Sequence, residues 1–192
     1  MGEKNQLRGL ILETVPQQYH EELCGSMERL GPEKTFFTKV FYLWTEEQKK
    51  LAMIEIGSRN QSGGRYRTLF DYLRVNNTLH KYESHKRYVE KSYSRFRICF
   101  KYLEEDQIKC HDDSKISSIL EIMGYTARWE WGLDCDLWRE ALEHHYQVFN
   151  LHHCHQFFIP VDTHFISTIP ITLNILLENP WSRGFSRRVS LI

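Results

Sequence analysis

In SRFRICFKYL, residues 94–103, Phe96, Ile98, Phe100 and Tyr102 alternate with Arg95, Arg97, Cys99 and Lys101. Period two is the signature of a half-buried strand, here with an apolar inner face and a basic outer one. Read this way, the stretch commits the chain to a sheet. Upstream, TFFTKVFYLW (35–44) is rich in aromatic and β-branched residues, and LAMIEI (51–56) follows the charged TEEQKK. Two such runs around a charged turn predict a hairpin. Downstream, GYTARWEW alternates again, with Tyr125, Ala127, Trp129 and Trp131 on one side.

Helical signals lie between these runs. Tyr19, Leu23, Met27 and Leu30 recur at helical spacing, with Pro16 suited to the first position and Gly31-Pro32 as a stop. A shorter helix around Leu7, Leu10 and Ile11 precedes this one. Residues 57–65 have the turn-forming composition of a loop, and 66–93 favour helix with an interruption near Asn76-Asn77. Ile116, Ile119, Leu120 and Met123 predict a helix at 114–123, with Asp113 as N-cap and Gly124 past its end. The strongest helical pattern runs from Asp134 to Asn150. The expected architecture is therefore α+β, an antiparallel or mixed sheet of about four strands with helices packed on one side. A chain of 192 residues, 41% hydrophobic and 14% aromatic, predicts a single globular domain over 1–192. The C-terminal quarter, about 160–192, holds three of the five prolines and reads as less regular.

Five widely spaced cysteines without a C-x-x-C, and no secretory h-region or long apolar run, predict reduced thiols and a cytoplasmic or nuclear protein, neither secreted nor membrane-spanning. Gly2 does not begin a myristoylation signal, because Gln6 stands where Ser or Thr is required.

Six of the ten histidines lie between His144 and His164, and His152, His153, Cys154 and His155 are consecutive. On the 134–150 helix, His145 falls in the middle of the apolar arc and is expected to be a buried histidine with a hydrogen-bond partner, whereas His144 falls to one side and is expected to be solvated. If 151–159 is a strand, His153 and His155 share a face and form a workable ligand pair, with His145 as a third zinc ligand and His164 or Cys154 as further candidates. No recognised zinc spacing accompanies them, and structural histidines are the favoured reading. Neither a G-x-S-x-G elbow nor a Gly-rich phosphate loop is present, so no catalytic residues are assigned and the sequence favours a non-enzyme.

Zero net charge conceals a division. From Arg65 to Lys101, ten Lys/Arg stand against three acids, a net of +7, and from Tyr102 to Asn150 four bases stand against eleven acids, a net of −7. Tyrosines and phenylalanines interleave the basic stretch, the composition that a single-stranded nucleic-acid surface requires. The expected function is that of a binding or regulatory accessory protein, virus-encoded accessory factors being one kind that fits. The basic, aromatic-rich surface at about 65–101 would engage nucleic acid, RNA above all, or an acidic protein partner. Arg87, Lys91, Arg95, Arg97 and Lys101 are its contact residues, while Phe96 and Phe100 are expected in the core. The alternative is a zinc-binding protein or metal-dependent enzyme built on the cluster at 144–164. No cofactor other than zinc is implied. Complementary basic and acidic regions would also allow self-association, and Ser190, two residues after Arg187-Arg188, is a candidate phosphorylation site.

Overall fold

The computed structural model describes residues 2–58, 68–100, 105–110 and 112–148. Of the described part 86% is helical, and none of it is strand. The expected α+β fold is thereby overturned in favour of a mainly helical one. The described residues divide into two compact units, one formed by the chain up to Lys81 together with Asp113–Val148, the other containing Tyr82–Asp112.

The first unit begins with α1 (Glu3–Glu13), which buries Leu7 and Ile11, four residues apart on one face. A 3₁₀ turn, Gln17–Tyr19, leads into α2 (His20–Leu30), which buries Leu23, Ser26 and Met27. Gly31 ends α2 at φ 85°, a conformation open to glycine at little steric cost, and Pro32 opens the next helix as the sequence predicts.

The expected hairpin at 35–56 is the largest correction. Residues Pro32–Thr35 (α3), a π-helical turn Phe36–Val40 and Phe41–Leu43 (α4) form one continuous helical run. Its buried side chains, Phe36, Phe37, Val40, Phe41 and then Trp44, repeat at helical spacing. Phe36 meets Phe37 and Trp44 edge-on, each with ring centroids 5.2 Å apart, and Trp44 meets Phe70 at 6.3 Å. The TEEQ segment is not a turn but a helix start. Thr45 N donates to Gln48 Oε1 (2.8 Å) and Gln48 N to Thr45 Oγ1 (3.2 Å), a reciprocal capping box for α5 (Glu46–Ser58). A second box, Thr68 with Asp71, starts α6 (Leu69–Leu73).

The helix break expected near Asn76-Asn77 falls at Arg74, a non-glycine residue at φ 62°. Beyond it α7 (Val75–Phe96) runs for 22 residues, and Arg97–Phe100 continues it as a 3₁₀ turn. Residues 94–100 are thus the end of a long helix and its 3₁₀ extension, not a strand, and 101–103 lie outside the described residues. Phe96, expected in the core, is 40% exposed.

The second unit contains α7 from Tyr82 onward and α8 (Glu105–Lys109), with Tyr82, Val89, Tyr93 and Ile108 buried. His85 Nε2 lies 3.6 Å from the buried Asp112 carboxylate.

In the returning part of the first unit, the single helix expected at 114–123 is divided. α9 (Ser114–Ser117) stops at Ser118, which adopts an extended conformation and caps α10 (Ile119–Trp131) by accepting from Glu121 N. Gly124 lies inside α10 rather than past a helix end, and GYTARWEW is helix throughout. All seven residues from Glu121 to Ala127 are buried, which places this helix at the centre of the unit. α11 (Asp136–Gln147) packs along it, burying Leu137, Ala141 and His145 at intervals of four. At Gly124 there is no room for a side chain: a Cβ would stand 2.3 Å from Ala141 Cβ and 2.7 Å from the Leu137 carbonyl oxygen. Among the described residues no helix is long and apolar enough to cross a membrane.

Candidate functional site

Two groups of residues stand out chemically, one buried and one exposed. The buried group grows from the cap of α10. In Ser118-Ile-Leu-Glu121 the pattern is that of a capping box, but the Glu121 side chain turns inward instead of back to the Ser118 amide. It is fully buried. A buried carboxylate requires donors, and it has three: His144 Nδ1 donates to Oε1 (2.7 Å), His145 Nδ1 to Oε2 (3.1 Å) and Ser114 Oγ to Oε2 (3.1 Å). Burial by itself would push the Glu121 carboxyl up. The hydrogen bonds from His145 and His144 outweigh it and hold the group below its ordinary 4.5. Tyr125 stacks edge-on with Trp129, Trp138 and His145, with Lys115 Nζ 5.3 Å from its ring centroid.

This geometry restricts the chemistry. A nucleophilic triad requires the carboxylate on one imidazole nitrogen and the hydroxyl on the other. Here Glu121 and Ser114 (3.4 Å) both approach His145 on Nδ1, so the imidazole does not bridge carboxylate and hydroxyl. The carboxylate, both Nδ1 donors and the hydroxyl are turned on one another. Among the described residues no group of three His, Cys, Asp or Glu is arranged to hold a metal ion. The cluster ties α9, α10 and α11 together. His145 is buried with a carboxylate partner, as its place on the apolar arc predicts, whereas His144, expected to be solvated, is half-buried on the same carboxylate. His153, His155 and Ser190 lie outside the described residues, and so do His152, Cys154 and His164.

The exposed group lies on α7. At about 100° per residue, Arg87, Lys91 and Arg95 fall within an arc of about 80° centred opposite the stripe of Val89 and Tyr93. All three are exposed, and at four-residue intervals they succeed one another by about 6 Å along the helix. Glu83 and Glu90 turn to one side of this arc, and Tyr88, 40% exposed, borders the other. Arg97 follows in the 3₁₀ turn, and Lys101 lies outside the described residues. The structure thus brings Arg87, Lys91 and Arg95 onto one helix face, where the sequence pattern divides them between a helix and a strand. Of the interleaved aromatics, Tyr82 and Tyr93 are buried and unavailable for stacking on bases. The chain matches no protein-family model, no curated protein and no solved structure.

Sequence reasoning misses Glu121 and Ser114 entirely. The available signal is the S-x-x-E pattern at 118–121 followed by a doublet of histidines, but a capping reading absorbs the glutamate.

Proposed function

We propose that the protein is a non-enzymatic nucleic-acid-binding protein that uses the basic face of α7, with Arg87, Lys91, Arg95 and Arg97 as phosphate contacts. The observation that carries this reading is azimuthal: Arg87, Lys91 and Arg95 succeed one another on one exposed face, with Glu83 one turn before Arg87 on the same row and Glu90 at its edge. Such a row holds a regularly charged polyanion at several points along a rigid rod, and release of condensed counterions drives the association.

Each neutralised phosphate contributes about 0.7–0.9 to the slope of log affinity against log salt. Fluorescence titration of labelled oligonucleotides over a salt series reads this directly. Replacing Arg87, Lys91 and Arg95 together by alanine is expected to flatten the slope by about 2–3 and to leave the helical circular dichroism unchanged, since exposed charges contribute little to stability. Absence of binding at low salt, or a triple variant with the wild-type slope, overturns the reading and leaves an acidic protein as the partner of this face.

A further inference from the structure

We infer that the nucleic acid is duplex DNA rather than a single strand, a conclusion that rests on the binding role proposed for α7. Single-strand binders combine a basic groove with a series of exposed aromatic rings on which successive bases stack. The interleaved tyrosines could form such a series only from one face of the helix, and they do not: Tyr82 and Tyr93 are 2% and 7% exposed and lie on the inner stripe. Among the described residues Tyr88 is the aromatic that borders the cationic arc, Phe96, 40% exposed, falls about 140° from its centre, and one ring is not a platform.

The face presents instead a rod. Ser84, Arg87, Tyr88, Lys91, Ser94 and Arg95 cover an arc of about 120° on the outer side of α7. Its long flexible members are cations. Ser84 lies between them and Ser94 at the edge, both short polar side chains, with Ser94 Oγ donating to the Glu90 carbonyl. An α-helix with its side chains is about 10–12 Å across, and the major groove of B-form DNA is about 12 Å wide. The fit is one of shape and charge together: the groove admits the rod, and Arg87, Lys91 and Arg95 reach its phosphates along the length of the helix, with Glu83 and Glu90 beyond one edge of the arc. A-form RNA offers no equivalent, because its major groove is deep and narrow and its minor groove shallow. Single strands have half the charge density of the duplex and no groove.

The test titrates the full chain with four probes of one sequence: duplex DNA, its single strand, the matching single-stranded RNA, and the RNA duplex. The inference expects duplex DNA to bind tightest. With the four phosphate contacts proposed, its affinity should drop about 150-fold between roughly 50 and 200 mM salt. Guanine N7 atoms, which face the major groove, should be protected from methylation in the complex and lose that protection in the Arg87→Ala/Lys91→Ala/Arg95→Ala variant. The double variant Arg87→Lys/Arg95→Lys, which keeps the charge, should retain the salt dependence. Equal or tighter binding of either single strand, or of the RNA duplex, overturns the inference and leaves the binding role of the face standing. Duplex DNA bound without N7 protection also overturns it. If none of the four probes binds at low salt, the nucleic-acid reading itself falls.

Discussion

Replacing Gly124 by alanine tests the closest approach in the fold. On an exposed helix interior the change would stabilise by about 1 kcal/mol, because alanine is the better helix former. Here the new methyl would stand 2.3 Å from Ala141 Cβ and 2.7 Å from the carbonyl oxygen of Leu137. Neither neighbour is the end of a flexible side chain. Relief therefore requires α10 and α11 to move apart, on the order of 1 Å if the contact is to become ordinary, which loosens the contacts of Ile122, Met123, Leu137 and the Glu121–His145 pair at once. Overpacking of this kind costs about 1–3 kcal/mol, and more when backbone must move. With the propensity gain set against it, the variant should lose about 1–2 kcal/mol in urea unfolding followed by circular dichroism at 222 nm. Adding Ala141→Gly removes the nearer contact and should recover part of the loss, as non-additivity between touching residues requires. The sign decides the matter. An unchanged or raised midpoint for Gly124→Ala would mean that α10 and α11 do not pack this closely.

The buried carboxylate makes stability depend on pH. Because its hydrogen bonds hold the Glu121 carboxyl below 4.5 in the folded state, the carboxylate contributes stability that is present above about pH 4.5 and lost as pH falls through the folded value. Glu121→Gln, which leaves at least one imidazole donor without its carboxylate, should cost about 1–3 kcal/mol at neutral pH and flatten the acid limb of a stability–pH profile; an unaltered limb would contradict the assignment. Phe96→Ala should cost under about 1 kcal/mol in thermal unfolding, since the ring is 40% exposed and leaves no core cavity, and a loss of about 3 kcal/mol or more would restore it to the core. Thr45→Ala should cost about 1 kcal/mol through loss of the capping box of α5, seen as a lowered urea midpoint, and no change would show that the box contributes nothing.

The helices α1, α2 and α11 are legible in local pattern, but the fold class is not, and the departures have distinct physical reasons. In 35–44, composition and period point in opposite directions. Phe36, Phe37, Val40, Phe41 and Trp44 fall at i, i+1, i+4, i+5 and i+8, which is helical spacing, yet aromatic and β-branched content suggests a strand. Period is the one that holds. The T-x-x-Q that follows is a helix start whose charged composition mimics a turn. At 94–103 the alternation is real but too short to separate the two periods, and residues 94–96 are the last turn of α7, with 97–100 a 3₁₀ turn. For α10 no periodicity can help. Seven consecutive buried residues leave no polar face to set a phase, and Gly124, normally a stop, is there because α11 crosses at that point. α2 and α11 are readable because each keeps one buried face and one solvated face.

The same division explains the two sites. Charge is additive along a sequence, so the net of +7 over 65–101 can be counted from composition alone, but azimuth is not additive, and a change from strand to helix rearranges every neighbour. On a strand, Arg95 and Arg97 would share a face and stand apart from Arg87. On α7, Arg95 joins Arg87 and Lys91 at four-residue intervals, while the aromatics expected to flank them are drawn into the core at Tyr82 and Tyr93. The same residues therefore present a row of cations with fewer exposed rings than the sequence pattern suggests. The buried cluster shows the converse limit. His145 is placed by period alone, because one helix fixes its direction. Its carboxylate partner is 24 residues away and belongs to another helix, so the pairing depends on how α10 and α11 approach, which is set at Gly124.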